Sequence, residues 1–128
     1  MEYAFWVFLF VMMLLIPAVM LFYGWIFLKM PPENINSSYG YRSPRSMKNR
    51  ETWQFAHAYC GKLWFRMSWG VLAVSIVWMT ITLSKDVDAV GRSACILMGV
   101  QMVPFLASIT LTERALKREF DESGRKRP

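Results

Sequence analysis

Apolar residues dominate three long blocks of this chain, and charge is confined to what lies between and after them. Residues 3–28, 67–83 and 93–112 contain no Asp, Glu, Lys or Arg over 26, 17 and 20 positions respectively. A bilayer core of about 30 Å is crossed by roughly 20 residues of apolar helix, so each block predicts a membrane span. The middle block is short; Trp64 and Phe65 lengthen it, with Arg66 snorkelling toward headgroups. The predicted spans are 3–28, 64–83 and 93–112, joined by a loop over 29–63 and followed by a tail over 113–128, all within one membrane domain, 1–128. The first block begins with Glu2, has no basic n-region and no A-x-A site, and is too long for an h-region. It reads as a retained span rather than a signal peptide.

Within the spans, Pro17 and Pro104 predict local distortions of the helix. Gln101 sits mid-span and needs a hydroxyl or carbonyl on a neighbouring helix. Gly91, Cys95 and Gly99 form a small-residue stripe open either to self-association or to packing within the chain. Met30, Pro31 and Pro32 end the first helix.

The polar stretch over 36–62 is where positive charge, aromatic rings and turn formers coincide. Asn36, Ser37, Ser38 and Gly40 favour turns. Ser43 followed by Pro44 predicts a short helical turn, and Asn49 is an N-cap with Glu51 in the first helical turn. From Asn49 the helical pattern continues, with Trp53, His57, Cys60 and Trp64 on one face. It extends as far as Leu83 with Gly61 and Gly70 as possible bend points, so its first part either lies in the interface or projects from it. In the tail, Glu113 and Lys117 predict an i, i+4 pair, and residues 124–128 are expected to be disordered against anionic headgroups.

Composition agrees with membrane embedding: 128 residues are 55% hydrophobic, with mean hydropathy +0.25. The formal charge of +6 comes from 15 Lys and Arg, of which seven lie between residues 29 and 66 and six follow Thr112. With three spans these thirteen share one side, as the positive-inside rule asks. The expected topology in a bacterial cytoplasmic membrane is multi-pass, with the N-terminus outside and the first loop and C-terminus cytoplasmic. Topology accounts for the basicity, so no nucleic-acid partner is implied.

Catalytic and metal motifs are missing. There is one histidine and no H-E-x-x-H, phosphate loop or dinucleotide glycine pattern, and the spacing of one His and two Cys is not that of a metal site. No cofactor is expected and the chain does not read as an enzyme. Cys60 and Cys95 fall on opposite sides of the bilayer, too far apart for a disulfide. No ionisable side chain interrupts the spans, which counts against transport. What remains is binding. Arg42, Arg45, Lys48 and Arg50 with Tyr39, Tyr41 and Trp53 make a basic-aromatic patch, and Arg forks suit phosphates and carboxylates.

Asn36, Gly40-Tyr41-Arg42-Ser43, Ser46-Met47, Asn49, Trp53, Ala56 and Gly61, followed by two hydrophobic spans, resemble the SdpI/YfhL family of small bacterial integral membrane proteins over roughly residues 30–110. The founding member confers immunity to a toxin, the Sdp killing factor, and holds a transcriptional repressor at the membrane. The resemblance implies toxin immunity or signalling through a bound toxin peptide or regulatory protein.

The expectation is thus an all-α integral membrane protein with three transmembrane helices and a folded cytoplasmic loop containing helical segments. The expected binding residues are Asn36, Tyr39, Gly40, Tyr41, Arg42, Ser43, Arg45, Asn49, Trp53 and His57. Two other readings stay open. One is a protein that binds anionic lipid or phosphate headgroups without a toxin role; the other is an enzyme acting on a membrane-borne substrate through His57. Homo-oligomerisation is compatible with each.

Overall fold

The computed structural model describes residues 3–36 and 38–128, and Ser37 of the expected turn lies outside them. Three helices run up, down and up: α1 (Tyr3–Lys29), α2 (Arg50–Ile81) and α3 (Val87–Glu119). All three are long and apolar enough to cross a membrane. Their outward faces carry Phe8, Leu15, Phe22, Val77, Ile96 and Val103, all exposed. A continuous apolar surface of this kind is what lipid chains would cover.

Each helix boundary has a local cause. The α1 helix stops before Pro31-Pro32, which cannot continue it. Asn49 caps α2 reciprocally: its Oδ1 accepts from Thr52 N–H at 2.9 Å, and the Thr52 hydroxyl oxygen accepts from Asn49 N–H at 3.0 Å. A single 3-10 turn over Thr82–Ser84 closes α2, and Asp86 caps α3 by accepting from Ala89 N–H at 2.8 Å.

The helices outrun the charge-free blocks, because charged residues with good helix propensity extend them beyond the apolar layer. At 1.5 Å per residue, the 32 residues of α2 span about 48 Å, against roughly 30 Å of hydrocarbon. Helix α2 is unbroken at Gly61 and Gly70, so its first turns project as an extension of the span. Gly61 is not a bend but a contact. A Cβ there would stand 2.9 Å from Phe27 Cβ, and one at Gly24 would stand 2.7 Å from the Phe65 backbone nitrogen. The pair lets α1 and α2 cross closely.

Tryptophan indoles tie the helices together. Trp6 Nε1 donates to the Met79 carbonyl at 3.0 Å, Trp78 Nε1 to Ser93 Oγ at 2.7 Å, and Trp64 Nε1 to Ser108 Oγ at 2.7 Å. Between them lies a core of Met13, Met79, Val90, Ala94 and Leu97. Gln101 finds the partners expected of it, donating to the Met13 carbonyl and to Ser75 Oγ, both at 2.7 Å.

Three expectations are corrected, and one open alternative is narrowed. The loop carries no helix of its own beyond the one turn expected after Ser43: Met47 N–H donates to the Ser43 carbonyl at 3.1 Å and the Ser43 and Ser46 side chains cap the turn reciprocally, but extended Asn49 ends it to start α2. Glu113 pairs with the loop rather than with Lys117, as described below. Of the two roles left open for Gly91, Cys95 and Gly99, packing within the chain is not the one found: Cys95 is exposed and a Cβ at either glycine would meet nothing within 4 Å. The tail is ordered: Asp121 N–H donates to the Arg125 carbonyl at 2.8 Å and Arg127 N–H to the Glu119 carbonyl at 2.8 Å. Gly124, at φ +90°, makes the turn that an L side chain would strain. Cys60 and Cys95 are both free thiols.

Candidate functional site

The loop after α1 is held against the bundle by residues from α2 and α3. Trp53, in the first turns of α2 and fully buried, donates its indole N–H to the Pro32 carbonyl at 2.7 Å. Asn36 Oδ1 accepts from the backbone N–H groups of Ser38 at 3.0 Å and Tyr39 at 2.6 Å, tying the start of the loop to itself. The Tyr39 ring then sits 6.3 Å from that of Tyr23 and 6.5 Å from that of Phe27.

Gly40 follows at φ +112°. A Cβ here would fall 2.6 Å from His57 Nε2 and 3.1 Å from Trp53 Cζ2, so the backbone can approach this pair only at glycine. Closeness has a purpose: Tyr41 N–H donates to His57 Nε2 at 2.8 Å. An accepting Nε2 places the ring proton on Nδ1, which donates to the Trp53 carbonyl at 2.7 Å. Both ring nitrogens of His57 are thereby committed to backbone groups, and the ring is wholly buried. That arrangement leaves no nitrogen for general base work, and the enzyme reading built on His57 loses its residue.

Tyr41 links the loop to the third helix. Its phenol donates to Glu113 Oε2 at 2.5 Å, with the Ile109 carbonyl 3.4 Å away. Burial and then this carboxylate hold the phenol well above its ordinary pKa, so it remains a donor. The Tyr41 carbonyl accepts from Ser46 Oγ at 3.0 Å, and the Thr52 hydroxyl donates to the Ser46 carbonyl at 3.0 Å. Asn49 Nδ2 donates to the Gly124 carbonyl at 2.6 Å, bringing the tail into the same assembly.

Beneath the loop, a cavity of about 430 Å³ opens among Phe27, Tyr41, Arg42, Trp64, Phe105 and Glu113, with Gly40, Ser43 and Ile109 completing its wall. The Trp64 ring lies 5.7 Å from both Phe27 and Phe105. The wall is therefore aromatic toward the spans and charged toward the loop.

The structure brings most of the expected residues together but in two different roles. Trp53, His57 and Asn49 hold the loop, whereas Gly40, Tyr41, Arg42 and Ser43 line the cavity. Arg45 is half-buried beside Thr52 and Phe120 on another side of the loop. Phe27, Trp64, Phe105 and Glu113 were not anticipated in the site. The available signal for Glu113 was its position as the first charge after a charge-free block. Among the described residues, no three His, Cys, Asp or Glu side chains converge as metal ligands.

Residues 33–112 match the SdpI/YfhL protein family. The chain belongs to that family. The match runs from the loop through α2 and most of α3, and so contains the His57–Tyr41 contact and the cavity residues Trp64, Phe105 and Ile109; Glu113 falls one residue beyond it. No curated protein and no solved structure matches the chain.

Proposed function

We propose that this SdpI/YfhL family member acts by binding, as a toxin-immunity or signalling protein, and that its recognition site is the cavity under the first loop. The observation that carries the reading is the anchoring of Tyr41 at both ends, to His57 on α2 and to Glu113 on α3. This double attachment fixes a wall of mixed aromatic and charged groups, a preorganised surface for a toxin peptide or regulatory protein. The basic loop and tail would face the cytoplasm by the positive-inside rule.

The test is survival of a toxin-sensitive strain expressing the wild type or the Arg42→Ala/Glu113→Gln variant at equal membrane abundance. Loss of protection is expected. Unchanged protection would remove the cavity from the function. Accessibility labelling of Arg45→Cys in a background lacking the native thiols should report the cytoplasmic side; labelling from outside intact cells would reverse the topology.

One observation favours a second reading, attraction of anionic lipid. The folded tail sets Gly124 against Lys48 and Asn49, which gathers Arg125, Lys126 and Arg127 near the loop cations. Each such residue contributes about 1 kcal/mol of attraction near an anionic surface. Enrichment of anionic lipid around the protein that vanishes at high salt would support it, and salt-independent enrichment would oppose it.

A further inference from the structure

Resting on the reading of that cavity as the recognition site, the geometry points to the molecule that fills it when no protein partner is engaged: one phospholipid whose headgroup bears a primary amine. Depth comes first. Glu113 is the first charged residue after the charge-free block 93–112, and Phe27 lies just inside Lys29, which ends the first block. The cavity therefore straddles the boundary between hydrocarbon and headgroups, where the surrounding lipid is the most concentrated molecule available.

Chemistry narrows the headgroup. The lining residues include one acid, Glu113, and one arginine, Arg42, above an apolar floor of Phe27, Trp64, Phe105 and Ile109. A purely anionic headgroup would set its charge against Glu113 with no cation of its own to offset it. A headgroup with a phosphate and an amine complements both signs, phosphate toward Arg42 and ammonium toward Glu113. Only an ammonium that keeps N–H bonds can donate to the carboxylate, so a choline headgroup satisfies the charge but not the hydrogen bond. The first methylenes of the acyl chains would then lie on the aromatic floor. Glu113 retains acceptor capacity for this, since a carboxylate offers about four lone-pair sites and Tyr41 uses one.

The experiment uses the full chain, purified in mild detergent and exchanged into mixed micelles holding equal phosphatidylethanolamine and phosphatidylcholine with identical acyl chains. Retained lipid is counted by native mass spectrometry. The wild type should retain the ethanolamine lipid about tenfold over the choline lipid, the effect of one charge-assisted hydrogen bond. Retention should fall stepwise through the N-methyl and N,N-dimethyl lipids. Glu113→Gln, which keeps an acceptor for Tyr41, should bring the ratio close to one. Ile109→Trp, which fills the cavity and leaves the backbone intact, should lower retention of both lipids.

Equal retention of the two lipids by the wild type, or a preference that survives Glu113→Gln, would overturn the proposal. So would stronger retention of phosphatidylglycerol than of phosphatidylethanolamine, or displacement of the lipid by soluble phosphoethanolamine. None of these results bears on the toxin-challenge assay, so the cavity could fail as a lipid site and still serve a protein partner.

Discussion

Gln101 Nε2 lies 2.7 Å from the carbonyl oxygen of Met13, the acceptor that Pro17 leaves without its helical donor. In an α-helix the N–H of residue 17 would serve that carbonyl, and proline has none. An unpaired carbonyl in hydrocarbon is costly, so a side chain from α3 reaches across to replace it. Gln101→Leu should therefore destabilise the bundle by about 1–2 kcal/mol. Pro17→Ala restores a backbone donor and should recover a good part of that loss in the double variant. Reversible unfolding in mixed micelles measures both, and strictly additive effects would show that the two positions do not share the carbonyl.

The close crossing of α1 and α2 makes a contrast among glycines. Gly24→Ala brings a Cβ within 2.7 Å of backbone at Phe65, which cannot yield like a flexible side chain. The expected cost is about 1–3 kcal/mol. Gly70→Ala and Gly99→Ala meet open space, and should be neutral or raise stability slightly through helix propensity. Thermal denaturation of the three variants tests the ranking, and equal loss in all three would contradict it.

Gly40→Ala should release the loop from α2. Positive φ and the His57 ring both oppose a Cβ, and such strain costs on the order of 1–3 kcal/mol. His57→Phe should have a related but narrower effect, because it removes the acceptor for Tyr41 N–H while keeping a ring in place. Hydrogen exchange at the Tyr41 amide is the readout. Accelerated exchange is expected in both variants, and protection equal to the wild type would mean that His57 does not hold the loop.

Alkaline pH should open the same contact from the other end. The Tyr41 phenol is raised above its ordinary pKa of 10.0, so the folded form holds this proton more tightly than the unfolded one. Its contribution is present in full below pH 10 and drains away as pH rises above that value toward the folded one. Ultraviolet titration should show a late tyrosine ionisation, and Tyr41→Phe should remove that step. At neutral pH the same variant should lose about 1 kcal/mol. A titration curve left unchanged by Tyr41→Phe would count against the buried contact.

What was legible beforehand followed from local pattern. Charge-free blocks mark the spans, Asn49 marks the start of α2, and a polar amide in mid-span demands a partner. The shared helical face of Trp53, His57 and Cys60 was equally plain, but its direction was not: periodicity aligns residues without saying whether they meet a partner or the protein's own core. All three are fully buried here. The remainder depended on contacts distant in sequence. Tyr41 and Glu113 stand 72 residues apart, so a neighbouring Lys117 offered the nearer explanation for the carboxylate. Gly24 and Gly61 belong to different helices, and neither shows from sequence which glycine it will face. The basic tail read as disordered on charge, although Asp121, Ser123 and Gly124 carry the turn chemistry that folds it.

Asn49 bonds at once to the start of α2 and to the carbonyl of Gly124. During synthesis the earlier partner exists long before the later one emerges from the ribosome. The loop end of the bundle is consequently completed last, by a clasp between a residue made early and a segment that emerges only behind the third helix.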